Sequence, residues 1–246
     1  SSDVCSSDLS PFRYLLESVE GGDRLGRYSF VGNSASMIFR SRGKKVEIGR
    51  PADRSDQIDG GNQTFTFETI DVEDPLDALK DLLNQHIPAP VPGLPRFYGG
   101  AVGALSYDMI RHIEDLPDNN PDELDLPESY FIFSDTVLIF DHASRKLKIV
   151  VNARLNGKDP NQVYSEAARS IKEVLLRLRE GPAPNALEDM QTSHTDSVLK
   201  VTSNFDRSQF EAGVAACKEY IKAGDIFQVV LSQRFSVEMK ASPLDL

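Results

Sequence analysis

The chain has 246 residues, which allows one large domain or two moderate ones. Its 40% hydrophobic and 26% charged content is that of an ordinary soluble globular protein, and no stretch approaches the roughly 18 consecutive apolar residues that a membrane span requires. The formal net charge of -11 argues against a nucleic-acid partner, because phosphate binding needs clustered Lys and Arg.

The first nine residues do not resemble protein sequence. Asp3 to Leu9 matches the translation of a common sequencing-adapter end, so we expect residues 1–9 to be a non-native tail. A polar disordered tail is the alternative, and the segment lacks the basic and apolar regions of a targeting peptide. Both interpretations exclude these residues from the fold.

Residues 10–180 are predicted to form the first domain, which begins with β patterns. Short strand-like runs occupy Tyr28 to Phe39 and Lys45 to Ile48, and Gln63 to Ile70 alternates apolar and polar residues. Asp74 as N-cap and Pro75 as first helical residue then begin a helix. Its apolar stripe consists of Leu76, Leu79, Leu82 and Leu83.

The middle of this domain contains a glycine-rich run. Phe97 to Val102 is predicted to be a strand that leads into a short helix, Ser106 to Ile113. The glycines between Gly99 and Gly103 could cradle a phosphate, but the spacing and the lysine of a P-loop are lacking. We therefore interpret the run as a tight strand-to-helix turn.

The end of the first domain is predicted to be a hairpin followed by a helix. The strands are Ser129 to Phe140 and Lys146 to Ala153, with the turn at Asp141 to Ser144. A helix follows Asp159-Pro160, and residues 181–200 are predicted to be a linker because they are rich in turn-forming and polar residues. The apolar face of that helix comprises Val163, Ala167, Ile171, Val174, Leu175 and Leu178.

Residues 201–246 are predicted to begin a second domain. Asp206 and Gln209 form a capping-box pattern, and Gly224 is the expected end of the helix. Ile226 to Val237 is predicted to be a long strand, with Gln228, Ser232 and Arg234 on one face. That face could line a cleft or lie exposed. Strands and helices without strict alternation indicate an α/β or α+β layered fold.

The cysteines and histidines indicate neither a disulfide framework nor a metal site. The two cysteines, Cys5 and Cys217, favour a reducing cytoplasmic location, and Cys217 falls in a helical apolar pattern typical of the core. The four histidines are far apart and lack metal-site spacing. Glu17 and Ser18 follow an apolar pair and could bind an amino-acid headgroup, but both are also common in turns.

Taken together, the segments resemble the anthranilate synthase component I family, and they occur in the family's order. The matching segments are Leu15 to Phe30, Phe97 to Gly103, Ser106 to Asp108 with Arg111, Ser134 to Thr136, Phe140 to His142 and Gly224 to Arg234. The resemblance spans almost everything from Pro11 to Leu246. It implies that the chain is the N-terminal part of a component I-like fold, with antiparallel sheets and surrounding helices.

The resemblance implies a lyase of tryptophan biosynthesis that uses chorismate. Mg2+ would hold the substrate's carboxylates, and ammonia from a glutamine amidotransferase subunit, component II, would attack the ring. Anthranilate and pyruvate would be the products. The family's Mg2+ ligands and catalytic residues lie beyond Leu246, so we expect no catalytic or metal-binding residue here and no activity from this chain alone.

The resemblance also implies feedback inhibition by L-tryptophan. Ser18 is the first candidate ligand of the inhibitor, Glu17 lies beside it, and Arg27 is a further candidate. Gln228 and Arg234 are expected to line the active site. Gln228 stands where related enzymes that add water to chorismate carry a lysine base, and a neutral amide cannot serve as that base. The alternatives are aminodeoxychorismate synthase component I and a module that only binds tryptophan.

Overall fold

The computed structural model describes residues 12–17, 26–52, 64–119, 121–180 and 200–238. The chain divides into two compact units between Leu187 and Glu188. This division falls within the range predicted to be a linker, most of which lies outside the described residues. The predicted tail, residues 1–9, also lies outside them. No helix among the described residues is long and apolar enough to cross a membrane.

The first unit is built mainly from antiparallel strands. The strands are β1 Tyr14–Leu16, β2 Tyr28–Gly32, β3 Met37–Arg42, β4 Lys45–Pro51, β5 Phe65–Asp71, β6 Gly100–Leu105, β7 Ser129–Ser134, β8 Thr136–Asp141 and β9 Lys146–Val151. A five-stranded sheet has the order β5-β4-β3-β7-β6, and a four-stranded sheet has the order β1-β2-β8-β9. The helices are α1 Pro75–Asn84, a 3₁₀ helix Tyr107–His112 and α2 Pro160–Glu180. The predicted layered fold with antiparallel sheets and helices is confirmed.

The chain passes twice from one sheet to the other. Asn33 to Ser36 connects β2 to β3, and Asp135 alone connects β7 to β8. The two crossings lie close together, because the Ser36 backbone N–H donates to the Phe133 carbonyl oxygen at 2.8 Å. The Asn152 backbone N–H donates to the Asp135 carbonyl oxygen at 2.7 Å. These bonds fix the corner at which the two sheets meet.

The prediction of one continuous strand from Ser129 to Phe140 is wrong. The segment forms two strands in different sheets, and Ser134 Oγ donates to the Thr136 carbonyl oxygen at 2.9 Å beside the break. The hydrophobic pattern could not show the change of sheet, because the residues before and after the break, Phe133 and Val137, are both buried. The β8–β9 hairpin is present, with its turn after Asp141.

The main core lies between the five-stranded sheet and α1. It contains Met37, Phe39, Val46, Ile48, Leu79, Leu82 and Phe133. Helix α1 begins as predicted, since the Asp74 carboxylate accepts from the Leu76 backbone N–H at 2.7 Å. Of the predicted stripe, Leu79 and Leu82 are buried, whereas Leu83 is 39% exposed. Ile38, between Met37 and Phe39, is also fully buried, so β3 is covered on both faces.

The interpretation of the Gly99–Gly103 run as a strand-to-helix turn is wrong. Gly100 begins β6 with φ of 120°, and Gly103 lies within the strand. The turn comes later, where the chain passes through Ser106 into the 3₁₀ helix. Gly103 is needed for the close approach of β6 and β7. A Cβ at Gly103 would overlap the Tyr130 carbonyl oxygen of β7.

The second unit contains helix α3, Arg207–Ala223, and a pair of two-residue strands, β10 Thr202–Ser203 and β11 Phe235–Ser236. The capping box of Asp206 and Gln209 is present, and Gly224 ends the helix in the left-handed conformation with φ of 84°. The predicted strand Ile226 to Val237 is wrong for most of its length. Within the described part of this unit, only Thr202 and Ser203 supply strand partners, so only Phe235 and Ser236 are paired.

Candidate functional site

Two of the predicted inhibitor-binding residues lie at the same end of the four-stranded sheet. Glu17 directly follows β1, and Arg27 directly precedes β2. The two strands are antiparallel with Leu16 opposite Phe30, so both residues are at the end where the strands are connected. Glu17 is exposed. Ser18, the first candidate, lies outside the described residues.

Arg27 is held by a carboxylate that is distant in sequence. Its Nε and Nη2 donate to Asp141 Oδ1 and Oδ2, each at 3.0 Å. The side chain of Asp141 is 2% exposed, whereas that of Arg27 is 44% exposed. Such a bidentate pair fixes the plane of the guanidinium as well as its position. Arg27 therefore presents an oriented, partly exposed cation at this end of the sheet.

The ionised form of Asp141 is strongly favoured. The hydrogen bonds from Arg27 hold the pKa of Asp141 well below its usual range, against the opposing effect of burial. The Ser144 backbone N–H also donates to Asp141 Oδ1, at 3.2 Å. Lys148 Nζ lies 3.9 Å from Asp141 Oδ2. Asp141 thus stays negatively charged across the physiological pH range and keeps both cations beside it.

An aromatic ring completes this group of charges. The guanidinium carbon of Arg27 lies 5.0 Å from the ring centroid of Tyr28, and Lys148 Nζ lies 6.0 Å from it. Both distances are within the range of a cation–π interaction. We call Arg27, Tyr28, Asp141 and Lys148 the Arg27 cluster. It carries two cations against one carboxylate and can attract an anionic group such as an amino-acid carboxylate.

Asp141 and Lys148 were not among the residues predicted to bind a ligand. The sequence signal was an aspartate at the end of an apolar run, which was interpreted as part of a turn. The pairing with Arg27 depends on the register of β2 and β8, in which Tyr28 lies opposite Asp141. The role of Arg27 in inhibitor binding stays a prediction.

The predicted active-site residues lie in irregular backbone of the second unit. The backbone N–H of Arg234 donates to Asn204 Oδ1 at 2.7 Å, and that of Asn204 donates to the Arg234 carbonyl oxygen at 3.2 Å. Gln228 is exposed. Because residues 228–234 are not a strand, their assignment to one strand face does not hold. That Gln228 and Arg234 line an active site stays a prediction.

A divalent metal ion would require clustered oxygen or nitrogen ligands. Within the ranges the structure describes, no group of three or more His, Cys, Asp or Glu residues could hold one. The described residues therefore do not fit a Mg2+ site. The expectation that Mg2+ ligands lie beyond Leu246 stays untested.

Comparison with known proteins defines the class to which this fold belongs. Residues 34–246 match the model of the chorismate binding enzyme family. The chain belongs to this family.

Its relatives within the family are named anthranilate synthase component 1. The chain is 36% identical to that of Acetivibrio thermocellus over 95% of its own length and 44% of the relative's. It is 36% identical to that of Synechocystis over 99% of its length and 46% of the relative's. The crystal structure of anthranilate synthase component I from Streptococcus pneumoniae matches with a TM-score of 0.67 and 28% identity, over 94% of this chain and 45% of that chain. The chain thus spans about half the length of the proteins it matches.

Proposed function

We propose that the chain is the N-terminal part of an anthranilate synthase large subunit. The observation that carries this proposal is the 36% identity to anthranilate synthase component 1 over 95% of the chain. The whole protein would convert chorismate and ammonia to anthranilate and pyruvate, as a lyase of tryptophan biosynthesis. We expect no catalysis from the present chain alone, because it spans only 44% of the length of that relative.

The proposed reaction carries further requirements. Mg2+ is the proposed cofactor, since a hard cation suits the substrate's carboxylates. A glutamine amidotransferase subunit, component II, is the proposed source of ammonia. The low cysteine content supports a reducing cytoplasmic location.

This assignment is tested by identifying the reaction product that a longer, joined protein forms. The chain would be joined to the C-terminal portion of the Acetivibrio thermocellus relative and assayed with chorismate, Mg2+ and ammonium. We expect fluorescent anthranilate to accumulate, and the unjoined chain to give none under the same conditions. Accumulation of aminodeoxychorismate in place of anthranilate would show that the assignment is wrong and favour the related synthase.

We further propose that L-tryptophan inhibits the whole protein through the end of the sheet where β1 and β2 are connected. The Arg27 cluster supports this proposal, because its two cations can attract the carboxylate of an amino acid. Glu17 lies at the same end and carries the opposite charge, which suits an ammonium group. An amino acid with both groups ionised would meet complementary charges there.

Ser18→Ala and Arg27→Gln in the joined protein test the inhibitor site. We expect each to raise the tryptophan concentration for half-inhibition by about tenfold, the equivalent of one charge-assisted hydrogen bond, with little change in the uninhibited rate. Lys80→Gln removes an exposed cation from α1, so it controls for the change in net charge caused by Arg27→Gln and should leave inhibition unchanged. Unaltered inhibition in Ser18→Ala would remove Ser18 from the site, whatever the reaction product.

A further inference from the structure

A cavity lies at the corner where the chain crosses between the two sheets of the first unit. Its volume is about 780 Å³. It is lined by both crossing segments, by the chain that follows β9 and by one face of α2. Small-molecule sites in proteins commonly have volumes of about 300–1,000 Å³. The cavity is therefore large enough for a metabolite, and its lining includes neither Glu17 nor Arg27.

The charge of the lining is opposite to that of the chain. Five cationic residues line the cavity against two carboxylates, Asp135 and Glu166, although the whole chain has a net charge of -11. The cations are Arg50, Arg154, Lys158, Arg169 and Arg177. They come from β4, from the chain after β9 and from α2. A concave surface lined by one sign of charge concentrates ligands of the other sign.

One of these cations is held in place by the two crossings. Arg154 Nη2 donates to Asp135 Oδ1 at 3.3 Å and to Ser36 Oγ at 3.4 Å. Its neighbour Asn152 is fixed as well, since its Nδ2 donates to the Tyr98 carbonyl oxygen at 2.7 Å. A guanidinium held in this way loses little side-chain entropy when it binds a ligand.

Other cations of the cavity retain uncompensated charge. Arg50, Lys158 and Arg169 form no ion pair with a carboxylate in the part of the chain that the structure describes. Arg50 Nη1 instead faces Met37 Sδ at 3.7 Å. Glu166, the carboxylate on α2, accepts from Gln162 Nε2 at 2.9 Å. The cavity can therefore neutralise a ligand with more than one negative charge.

Apolar side chains form another part of the wall. They are Val151, Ala153, Val163, Ala167 and Val174, and uncharged polar residues that include Ser34, Asn156 and Ser170 also line the cavity. We propose that this cavity binds a small organic anion, whose phosphate or carboxylate group meets the cations and whose apolar body packs against the valines. Apolar walls with a few placed polar groups are typical of such sites.

Calorimetry at low ionic strength tests the proposal. The full 246-residue chain is titrated with phenyl phosphate, benzoate and inorganic phosphate. We expect phenyl phosphate or benzoate to bind, the tighter of the two identifying the preferred acidic group. Inorganic phosphate should bind more weakly than phenyl phosphate, because it lacks the apolar body. Absence of binding by both aromatic anions at millimolar concentration would overturn the proposal.

Variants then locate the bound anion. Arg169→Gln and Lys158→Gln should each weaken binding by about threefold, the effect of one exposed charge. Glu166→Gln removes a negative charge from the cavity and should tighten binding by a similar factor. Lys172→Gln makes the same charge change on α2 at a residue that does not line the cavity, and should have no effect. Equal weakening in Lys172→Gln and Arg169→Gln would mean that only net charge matters, which overturns the site.

Discussion

Asp141 is a carboxylate that is almost completely buried at the end of a strand. Desolvation of a charge is costly unless the charge is paired and hydrogen-bonded. Arg27 supplies two hydrogen bonds, Ser144 supplies a backbone donor and Lys148 adds a second positive charge. Arg27 and Asp141 are 114 residues apart in the chain. Arg27, which is proposed to bind the inhibitor, is therefore positioned by a residue that is distant from it in the sequence.

Gly103 has a packing role that can be tested by adding one methyl group. In Gly103→Ala, the new Cβ would overlap the Tyr130 carbonyl oxygen, and backbone of a paired strand cannot move aside as a flexible side chain can. We expect the free energy of unfolding to fall by about 3 kcal/mol, measured by urea denaturation. Ala104→Ser adds one atom at the neighbouring exposed residue and should change the free energy of unfolding by less than about 0.5 kcal/mol. Equal effects would contradict the close approach of β6 and β7.

Tyr14 makes stability depend on pH in the alkaline range. Burial raises the pKa of Tyr14 to about 12 from 10.0. Because the pKa of Tyr14 is higher in the folded state than in the unfolded state, its contribution to stability is fully present below pH 10. This contribution is lost as the pH rises through about 12. Tyr14→Phe should therefore reduce the loss of stability between pH 10 and pH 12. Tyr107→Phe, at a residue that is 81% exposed, should not alter it.

Helix ends were predicted more accurately than strands. The caps at Asp74, Asp206 and Gly224 are where the sequence placed them, because a cap forms between residues two to five positions apart. The predicted strand from Ile226 to Val237 forms only at Phe235 and Ser236, since a strand exists only where a neighbour supplies hydrogen bonds. Apolar alternation shows that a segment can be a strand but not whether it has a partner.

Two isoleucines show how much an apolar side chain contributes at two kinds of position. Ile38 in β3 is fully buried, whereas Ile87 after α1 is 84% exposed. Ile38→Ala should lower the free energy of unfolding by about 2–5 kcal/mol, because it leaves a cavity at a fully buried position. Ile87→Ala makes the same chemical change and should cost less than about 0.5 kcal/mol. Denaturation of both variants under identical conditions provides the comparison, and similar costs would contradict the burial of β3 on both faces.

The two units differ in how their elements are stabilised. The first unit has a core of fully buried side chains, including Phe39, Phe133 and Ile139. Helix α3 of the second unit contains no buried residue. Of its expected apolar face, Phe210, Val214 and Cys217 are only half-buried and Ile221 is 43% exposed, so the prediction of a core position for Cys217 is not met. Isolated helices of this length are marginal in water unless an apolar face is packed. The two units should therefore open with different free energies.

Hydrogen exchange of the backbone amides measures this difference. We expect the amides of β3 and β8 to exchange roughly a hundredfold more slowly than those of α3, because strand amides open only with the core whereas α3 opens locally. Exchange followed by mass spectrometry on the 246-residue chain would resolve the segments. Equal protection of α3 and β3 would show that α3 is stabilised as strongly as the core.

The layered fold class, the helix caps and the family could be predicted from the amino-acid sequence, because these depend on local contacts or on ordered motifs. The sequence also predicted Glu17 and Arg27 as inhibitor-binding residues, and this role stays a prediction. The folded arrangement was needed to show that Asp141 holds Arg27, that the segment around Asp135 changes sheets and that five cations line one cavity. Strand register and sheet order bring together residues more than a hundred positions apart, and no local pattern encodes that pairing.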